Sequence, residues 1–407
     1  MPQISQETKN AVRDLLMELI RIPSVRGQEG PAARVLCDRL ESLADRCELI
    51  AIDDAIMQDP DYAFPLAGHT YRDTPNLECV VAGSGQGRSV VFNTHLDVVP
   101  PSEGQTHAYD PIEENGMIFG RGACDAKGQV ATLYALILLL RERGVRPPGD
   151  LTFHFVVEEE NGGNGTLAMI RRGVRADAAV VLEPSEMSII PAVRGAVWFD
   201  LKVLGRAAHS GNVAGRISAL DKAVIAMQAL RDYHDRLLAE SRGLPLFDEF
   251  ADPMPLTFGM LTAGNWPASV PSVAELKGVL GFLPNHHRHE VHEGMRQTLR
   301  SQGDGWLRDH FDLTFPMLNS DGNVIPVHHP LVTSLRAAIR KNQAPDRVRA
   351  MTASCDAWLY NNQAGIPTVV FGPGSLSHAH SKEEQIKLDD ILTAASVLAD
   401  WVMDGAA

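Results

Sequence analysis

The sequence is short of several things, and each shortage narrows what the chain can do. It has only five cysteines, Cys37, Cys47, Cys79, Cys124 and Cys355. None forms a C-x-x-C pair and the number is odd. Neither a disulfide framework nor a cysteine zinc cluster is therefore expected, and a reducing cytoplasm fits best. Positive charge is scarce: 37 Lys and Arg against 51 Asp and Glu give a formal net charge of -14. That argues against nucleic acid, whose binding needs a basic face to displace counterions, and against an anionic membrane surface. The opening MPQISQETKN lacks the apolar stretch of a signal peptide. The most apolar run, 133–140, is far too short to span a bilayer and reads as a helix buried on most faces. No phosphate-cradling loop and no G-x-S-x-G elbow occurs, so a Ser or Cys nucleophile is unsupported.

The 407 residues exceed one ordinary core and suggest two domains, or one domain with an insert. Helical spacing marks 8–20, and Val35, Leu36, Leu40 and Leu43 form a second stripe. The runs 77–82 and 89–94, separated by the glycine-rich 83–87, read as a hairpin. A long helix over 127–143 is broken at 147–149 and followed by a strand over 151–157. The near-continuous apolar run 178–182 is typical of a strand buried on both faces. Strands alternating with helices imply an α/β sheet with parallel members. Around Arg194 the character shifts. Strand-like runs near 197–204, 256–261, 274–282 and 311–316, with helices near 218–240 and 290–302, make a compact α+β unit. From about 327 the α/β style returns. We expect a catalytic domain formed by 1–193 and 319–407, interrupted by an inserted unit at 194–318.

Polar candidates cluster just after the sheet strands: His95 and Asp97, then Glu158, Glu159 and Glu160, then Glu183, then His378 and His380. In open α/β sheets, sites form outside the carboxyl ends of strands, so these remote residues would converge. His95 and Asp97 fall on one face, where a carboxylate can fix the imidazole tautomer. Asp125, in 120–128 (GRGACDAKG), directly precedes a helix. It is either an N-cap or a carboxylate whose two oxygens bridge two metals. Three acids in a row repel one another unless cations or exposure relieve them. One of them could hold a metal while its neighbour acts as base on the attacking water. Glu183, followed by Pro184, is a ligand or simply the exit of a buried strand. His209 is a surface histidine or a donor reaching over the site from the inserted unit.

Taken in order, these segments resemble the motifs of the M20 metallopeptidase family, which contains acetylornithine deacetylase, succinyl-diaminopimelate desuccinylase, aminoacylase and glutamate carboxypeptidase. They are 93–100 (NTHLDVVP), 120–128, 157–163 (VEEENGG), 182–185 (LEPS) and 372–384 (GPGSLSHAHSKEE). The resemblance implies a zinc-exopeptidase-like mixed sheet flanked by helices, with an α+β lid and dimerisation domain inserted. It implies two divalent ions, zinc first, with cobalt and manganese as the other candidates. His95 and Glu183 would hold one ion, Glu160 and His380 the other, and Asp125 would bridge them. Asp97 would orient His95, and Glu159 would be general base and then acid. His209 would stabilise the oxyanion in the partner's site of a homodimer joined through the lid, and the Asp125–Ala126 peptide would be cis. The implied substrate is a small amide, with no nucleic acid and no membrane as partner. The expected reaction is cleavage of an N-acyl amino acid or related N-acyl compound. The competing expectations are a dipeptidase or carboxypeptidase of the same fold, and an inactive binding protein. In one respect the chain departs from the family. Where many relatives clamp a substrate carboxylate with an Asn and an Arg, it has Ala268 and Gly281, leaving Arg194 as a substitute. The segment 355–357 falls where relatives place another substrate-facing loop.

Overall fold

The computed structural model describes residues 4–211, 214–302 and 304–406. A nine-stranded mixed sheet forms the larger half. Its order is Arg46–Ile50, Asn76–Val81, Leu151–Val156, Val90–His95, Ala178–Val181, Thr368–Val370, Ile189–Val193 and Asn323–Val324, with Val348–Met351 also paired to Ile189–Val193. The four central strands, from Leu151–Val156 to Thr368–Val370, are parallel. Their carboxyl ends therefore open on one edge, and this edge positions the site. Both faces are covered, so every residue of Val90–His95 and Ala178–Val181 is buried, and the latter is apolar throughout. On one face lie the helices Gln6–Ile20, Lys127–Arg143, Pro330–Lys341 and Leu388–Met403. Lys127–Arg143 sits between Gln6–Ile20 and Leu388–Met403 and is buried nearly all round. On the other face, Asn164–Arg171 packs with the π-helical turn Leu359–Gln363.

A five-stranded antiparallel sheet makes the second unit, with Leu256–Ala263, Val273–Phe282, Gly195–Leu204 and Phe311–Thr314 in order and Asn319–Ser320 also on Gly195–Leu204. Val197, Phe199, Leu201 and Val203 alternate inward against the helices Ala219–Glu240 and Arg288–Gln302. The opposite face leaves Trp198 and Met260 exposed. Among the described residues, no helix is long and apolar enough to cross a membrane.

Two expectations are corrected. The runs around Asn76–Val81 and Val90–His95 do not form a hairpin, because Leu151–Val156 lies between them, antiparallel to the first and parallel to the second. The glycines of 83–87 serve a different contact. Ser84 N and Gly87 N each donate to a carbonyl of the Pro147–Pro148 turn at 2.9 Å, and a Cβ on Gly83 would fall 2.4 Å from the Gly149 carbonyl carbon. The second correction concerns cysteine: Cys47 and Cys79 form a disulfide. They lie directly opposite each other on the antiparallel pair Arg46–Ile50 and Asn76–Val81, a register that their distance in sequence hides.

Candidate metal centre

His95 ends its strand, buried, with Nδ1 2.9 Å from the Asp97 carbonyl and 3.4 Å from its Oδ1. A carbonyl can only accept, so Nδ1 carries a proton and donates. Nε2 then faces Asp125 Oδ1 at 3.0 Å. Two lone pairs cannot meet at that distance unless a proton or a cation lies between them. Burial disfavours the imidazolium, but hydrogen bonding to Asp125 and Asp97 outweighs it and pushes His95 well above the ordinary histidine range.

Asp125 does not cap the following helix. Ala126 occupies that position with no side-chain cap, and the Asp125–Ala126 peptide is cis. The carboxylate instead spans two histidines, Oδ1 toward His95 and Oδ2 3.4 Å from His380 Nε2. Burial works against its charge, but His380 and His95 hold it well below the usual carboxylate range. A residue the sequence reading did not single out fixes this turn. Glu384 accepts from the amides of Cys124 (3.1 Å) and Asp125 (3.0 Å), and pairs with buried Arg121 at 2.5 Å.

His380, at φ 57, also reaches Glu160 Oε1 at 2.9 Å. Bonds to Asp125 and Glu160 push it up to about 10. Of the two histidines left open in 372–384, it is His380 that joins the cluster. Glu183 Oε2 lies 4.0 Å from His95 Nε2. Donor atoms of His95, Asp125 and Glu160 fall within 4.8 Å of one another, as do those of His95, Glu159 and Glu183.

Asp97 has a further contact that periodicity does not reveal. Its two oxygens accept from the backbone N–H groups of Glu159 (3.1 Å) and Glu160 (3.0 Å). One carboxylate thus ties the His95 strand to the glutamate turn. Asp356, from the loop noted in the sequence without a role, is buried beside them and accepts from Thr166 Oγ1 at 2.6 Å. Gly163 has to be glycine there. Its φ is 81, and a Cβ would fall 2.2 Å from Asp356 Oδ1.

The acids report what the cluster needs. Burial, then repulsion by Asp125, pushes Glu160 up to about 6. Burial pushes Asp356 up to about 7. Burial followed by like charge raises Glu159 and, despite help from His95, Glu183 well above the carboxylate range. Carboxylates crowded with imidazoles in a dry pocket are relieved by cations. Their mixture of imidazole nitrogens and carboxylate oxygens is a donor set that borderline divalent ions accept. The residues therefore fit a metal pair.

His209 is not in this cluster. It lies exposed on a two-residue strand of the second unit, paired to Ser269, with Nδ1 accepting from Gly211 N at 3.1 Å. At the site of the missing clamp, a Cβ on Gly281 would fall 2.8 Å from Arg194 Nη1. The absent side chain leaves room for this guanidinium, which donates to the carbonyls of Thr352 and Gly195. Burial pushes Arg194 down to about 10.

The chain matches the model of peptidase family M20/M25/M40 over residues 91–404. It is 28% identical over 364 residues to the N-formyl-4-amino-5-aminomethyl-2-methylpyrimidine deformylase of Bacillus subtilis strain 168, covering 82% of this chain and 83% of the relative. It is 30% identical over 322 residues to the succinyl-diaminopimelate desuccinylase of Methylobacterium radiotolerans, covering 75% of each. A tripeptidase from Staphylococcus aureus has the same fold, with a TM-score of 0.78 at 17% identity over 98% of both chains. The family includes dinuclear metal-binding peptidases.

Proposed function

The chain belongs to peptidase family M20/M25/M40, and on that premise we propose that it is a metal-dependent deacylase that cleaves the amide bond of a small N-acyl amine without requiring a free carboxylate. The observation that carries the hydrolytic part is the convergence of His95, Asp125, Glu160, Glu183 and His380 around Glu159. His95 and Glu183 would hold one divalent ion, Glu160 and His380 the other, and Asp125 both. Zinc suits the donor set best, with cobalt and manganese as the other candidates. When bound, the ions supply a hydroxide at neutral pH and polarise the amide carbonyl.

The rest falls to the chain's own side chains. Glu159, its proton affinity raised by burial, takes a proton from the attacking water and returns it to the leaving amine. Asp97 holds the amide of Glu159 and so fixes where that carboxylate starts. His209 donates to the developing oxyanion of a second copy's site. Its exposure on the lid, away from the ligands, supports a homodimer. So do two apolar features of the same unit: the edge of Leu256–Ala263, unpaired among the described residues, with Met260 and Leu261 exposed, and Leu220 and Val224 exposed on Ala219–Glu240.

The substrate reading rests on position 281. A planar guanidinium there would recognise a carboxylate bidentately; the chain has glycine, and Arg194 fills the gap while bound to backbone carbonyls. That the Bacillus subtilis relative is a deformylase of an aminomethylpyrimidine supports an acyl amine rather than an acyl amino acid. The test is a panel of N-formyl, N-acetyl and N-succinyl amines with and without an α-carboxylate, plus dipeptides, assayed with zinc, cobalt or manganese. We expect turnover of carboxylate-free amides. Turnover confined to dipeptides would replace this reading with a dipeptidase. The location we propose is the cytoplasm. Thiol counting on freshly lysed, alkylated protein tests it: a Cys47–Cys79 disulfide kept in the cell would replace the cytoplasm with an oxidising compartment.

A further inference from the structure

Glu158 is the first of the three glutamates and the one the reaction leaves unused. It is buried, at φ 59, a left-handed conformation that a glutamate keeps only where its surroundings over-determine it. Three donors from separate parts of the chain supply that determination. Arg26 Nε reaches Oε1 at 2.7 Å, while Tyr71 OH and Asn164 Nδ2 reach Oε2 at 2.6 and 2.8 Å. His69 Nε2 lies 2.8 Å from Oε1.

The same donors grip the segment 59–64. Asn164 bonds Ala63 in both directions, accepting from its N–H at 2.9 Å and donating to its carbonyl at 3.0 Å. Arg26 Nη1 donates to the Phe64 carbonyl at 2.8 Å. A Cβ on Gly162 would fall 2.4 Å from Ala63 Cβ, so the segment lies directly against the glutamate turn. Its other end meets the lid. Asp61 accepts from buried Arg288, the first residue of Arg288–Gln302. Arg288 is itself fixed by the Asn319 carbonyl at 2.9 Å, by its own N–H on Asp321 at 2.7 Å, and by the Trp358 ring 4.9 Å below its guanidinium.

We propose that Glu158 is a positioning residue for the catalytic base Glu159, and that segment 59–64 passes the seating of the lid to it through the Arg288–Asp61 pair. The inference rests on the hydrolase reading, because it needs Glu159 as base. The path is short and rigid: lid arginine, Asp61, Ala63, Asn164, Glu158, then the base as the next residue. Arg288–Asp61 is a charged pair, Ala63–Asn164 is bidentate and Asn164 bonds the Glu158 carboxylate, while Asp61 to Ala63 and Glu158 to Glu159 are joined by backbone; misplacing a reacting group by about 1 Å costs about a hundredfold in rate.

The test compares Glu158→Gln, Asp61→Asn and the double variant with the wild type, on an amide that the wild type turns over, with metal content measured on each. Glu158→Gln should lower kcat about tenfold or more, with KM within about twofold and metal content unchanged. Asp61→Asn should lower kcat about threefold to tenfold. The double variant should fall no further than Glu158→Gln alone, because both cut one path. A metal-replete Glu158→Gln enzyme with kcat within about twofold of wild type overturns the proposal. So do losses that multiply in the double variant, or a loss that tracks missing metal. Should Glu158→Gln fail to fold, Asp61→Asn decides: unchanged kcat overturns the proposal. A wild type that cleaves no amide sinks the hydrolase reading and this proposal together, whereas an active wild type with unaffected variants sinks this proposal alone.

Discussion

The rim of the large sheet and the surface of the lid make an instructive pair. At the rim the polar groups around the candidate metal centre have company. Asp125 faces two histidines, Asp97 serves a histidine and two amides, and Glu158 has three donors. On the lid, His209 stands exposed with a local contact to Gly211, and Leu220, Val224, Met260 and Leu261 of the same unit are exposed among the described residues. The contacts of the rim come from one chain, whereas the lid surface is where we propose that a second copy of the chain docks. A geometry that the chain over-determines suits chemistry, and an uncovered apolar surface suits association.

The comparison is most severely tested by removing metal. Dialysis against a chelator should abolish turnover, with activity restored by zinc, cobalt or manganese. The stripped protein should melt lower, and the deficit should be larger at pH 8 than at pH 6. Glu160 and Asp356 are pushed up to about 6 and about 7. Below those values they take protons in the folded state and their repulsion disappears. Calorimetry at the two pH values checks the sign; an equal deficit at both would break the account of the rim.

Next in size, Glu159→Ala should lower kcat by about 10³–10⁴ while leaving metal content unchanged. Normal turnover would remove the base from the mechanism. Third, His209→Ala should lower kcat about a hundredfold with metal content and folding intact. A charged residue in the lid's apolar patch, as in Val224→Asp, should yield monomers with the same defect. Active monomers would show that the lid surface is merely exposed.

The smallest effect concerns Glu29, a rim residue that breaks the rule of company. It is fully buried, and among the described residues no side chain bonds its carboxylate, which the backbone of Gly27 and Glu29 alone helps. Burial first, then the charge of Asp97, pushes it up to about 9. Its folded-state affinity for a proton exceeds that in the unfolded chain. Its contribution to stability is therefore complete below the ordinary glutamate value and lost as pH rises toward 9. Glu29→Gln should raise Tm by about 1–3 °C at pH 8.5 and leave it unchanged near pH 4.5.

Much of the rim was legible because its candidate ligands share a simple position, at or just after a strand's carboxyl end. His95, Glu160 and Glu183 could each be found that way, and motif order picked out Asp125 over its capping role. The rest depends on contacts that leave no local trace. Nothing within 77–94 announces that a strand from 151–156 will come between its two halves. Cys47 and Cys79 meet only because of register. Glu158 looked like one more acid in a charge run, since Arg26, Tyr71 and Asn164 come from stretches without a motif of their own. The second fixing role of Asp97 was hidden for the same reason, its partners being backbone amides.

The strand order also bears on synthesis. Thr368–Val370 lies between Ala178–Val181 and Ile189–Val193, whereas the lid strands all come from residues made in between. When the ribosome has released the lid, the large sheet still has a gap at its centre. From its own synthesis onward, the fully apolar strand Ala178–Val181 has one edge unpaired until nearly two hundred further residues have emerged, the last fifty or so of them after the lid. Through that interval the nascent chain presents a flat, uncharged edge of the kind that recruits other strands. Its yield in a cell should depend on how well that edge is shielded during translation, more than on the stability of the finished protein.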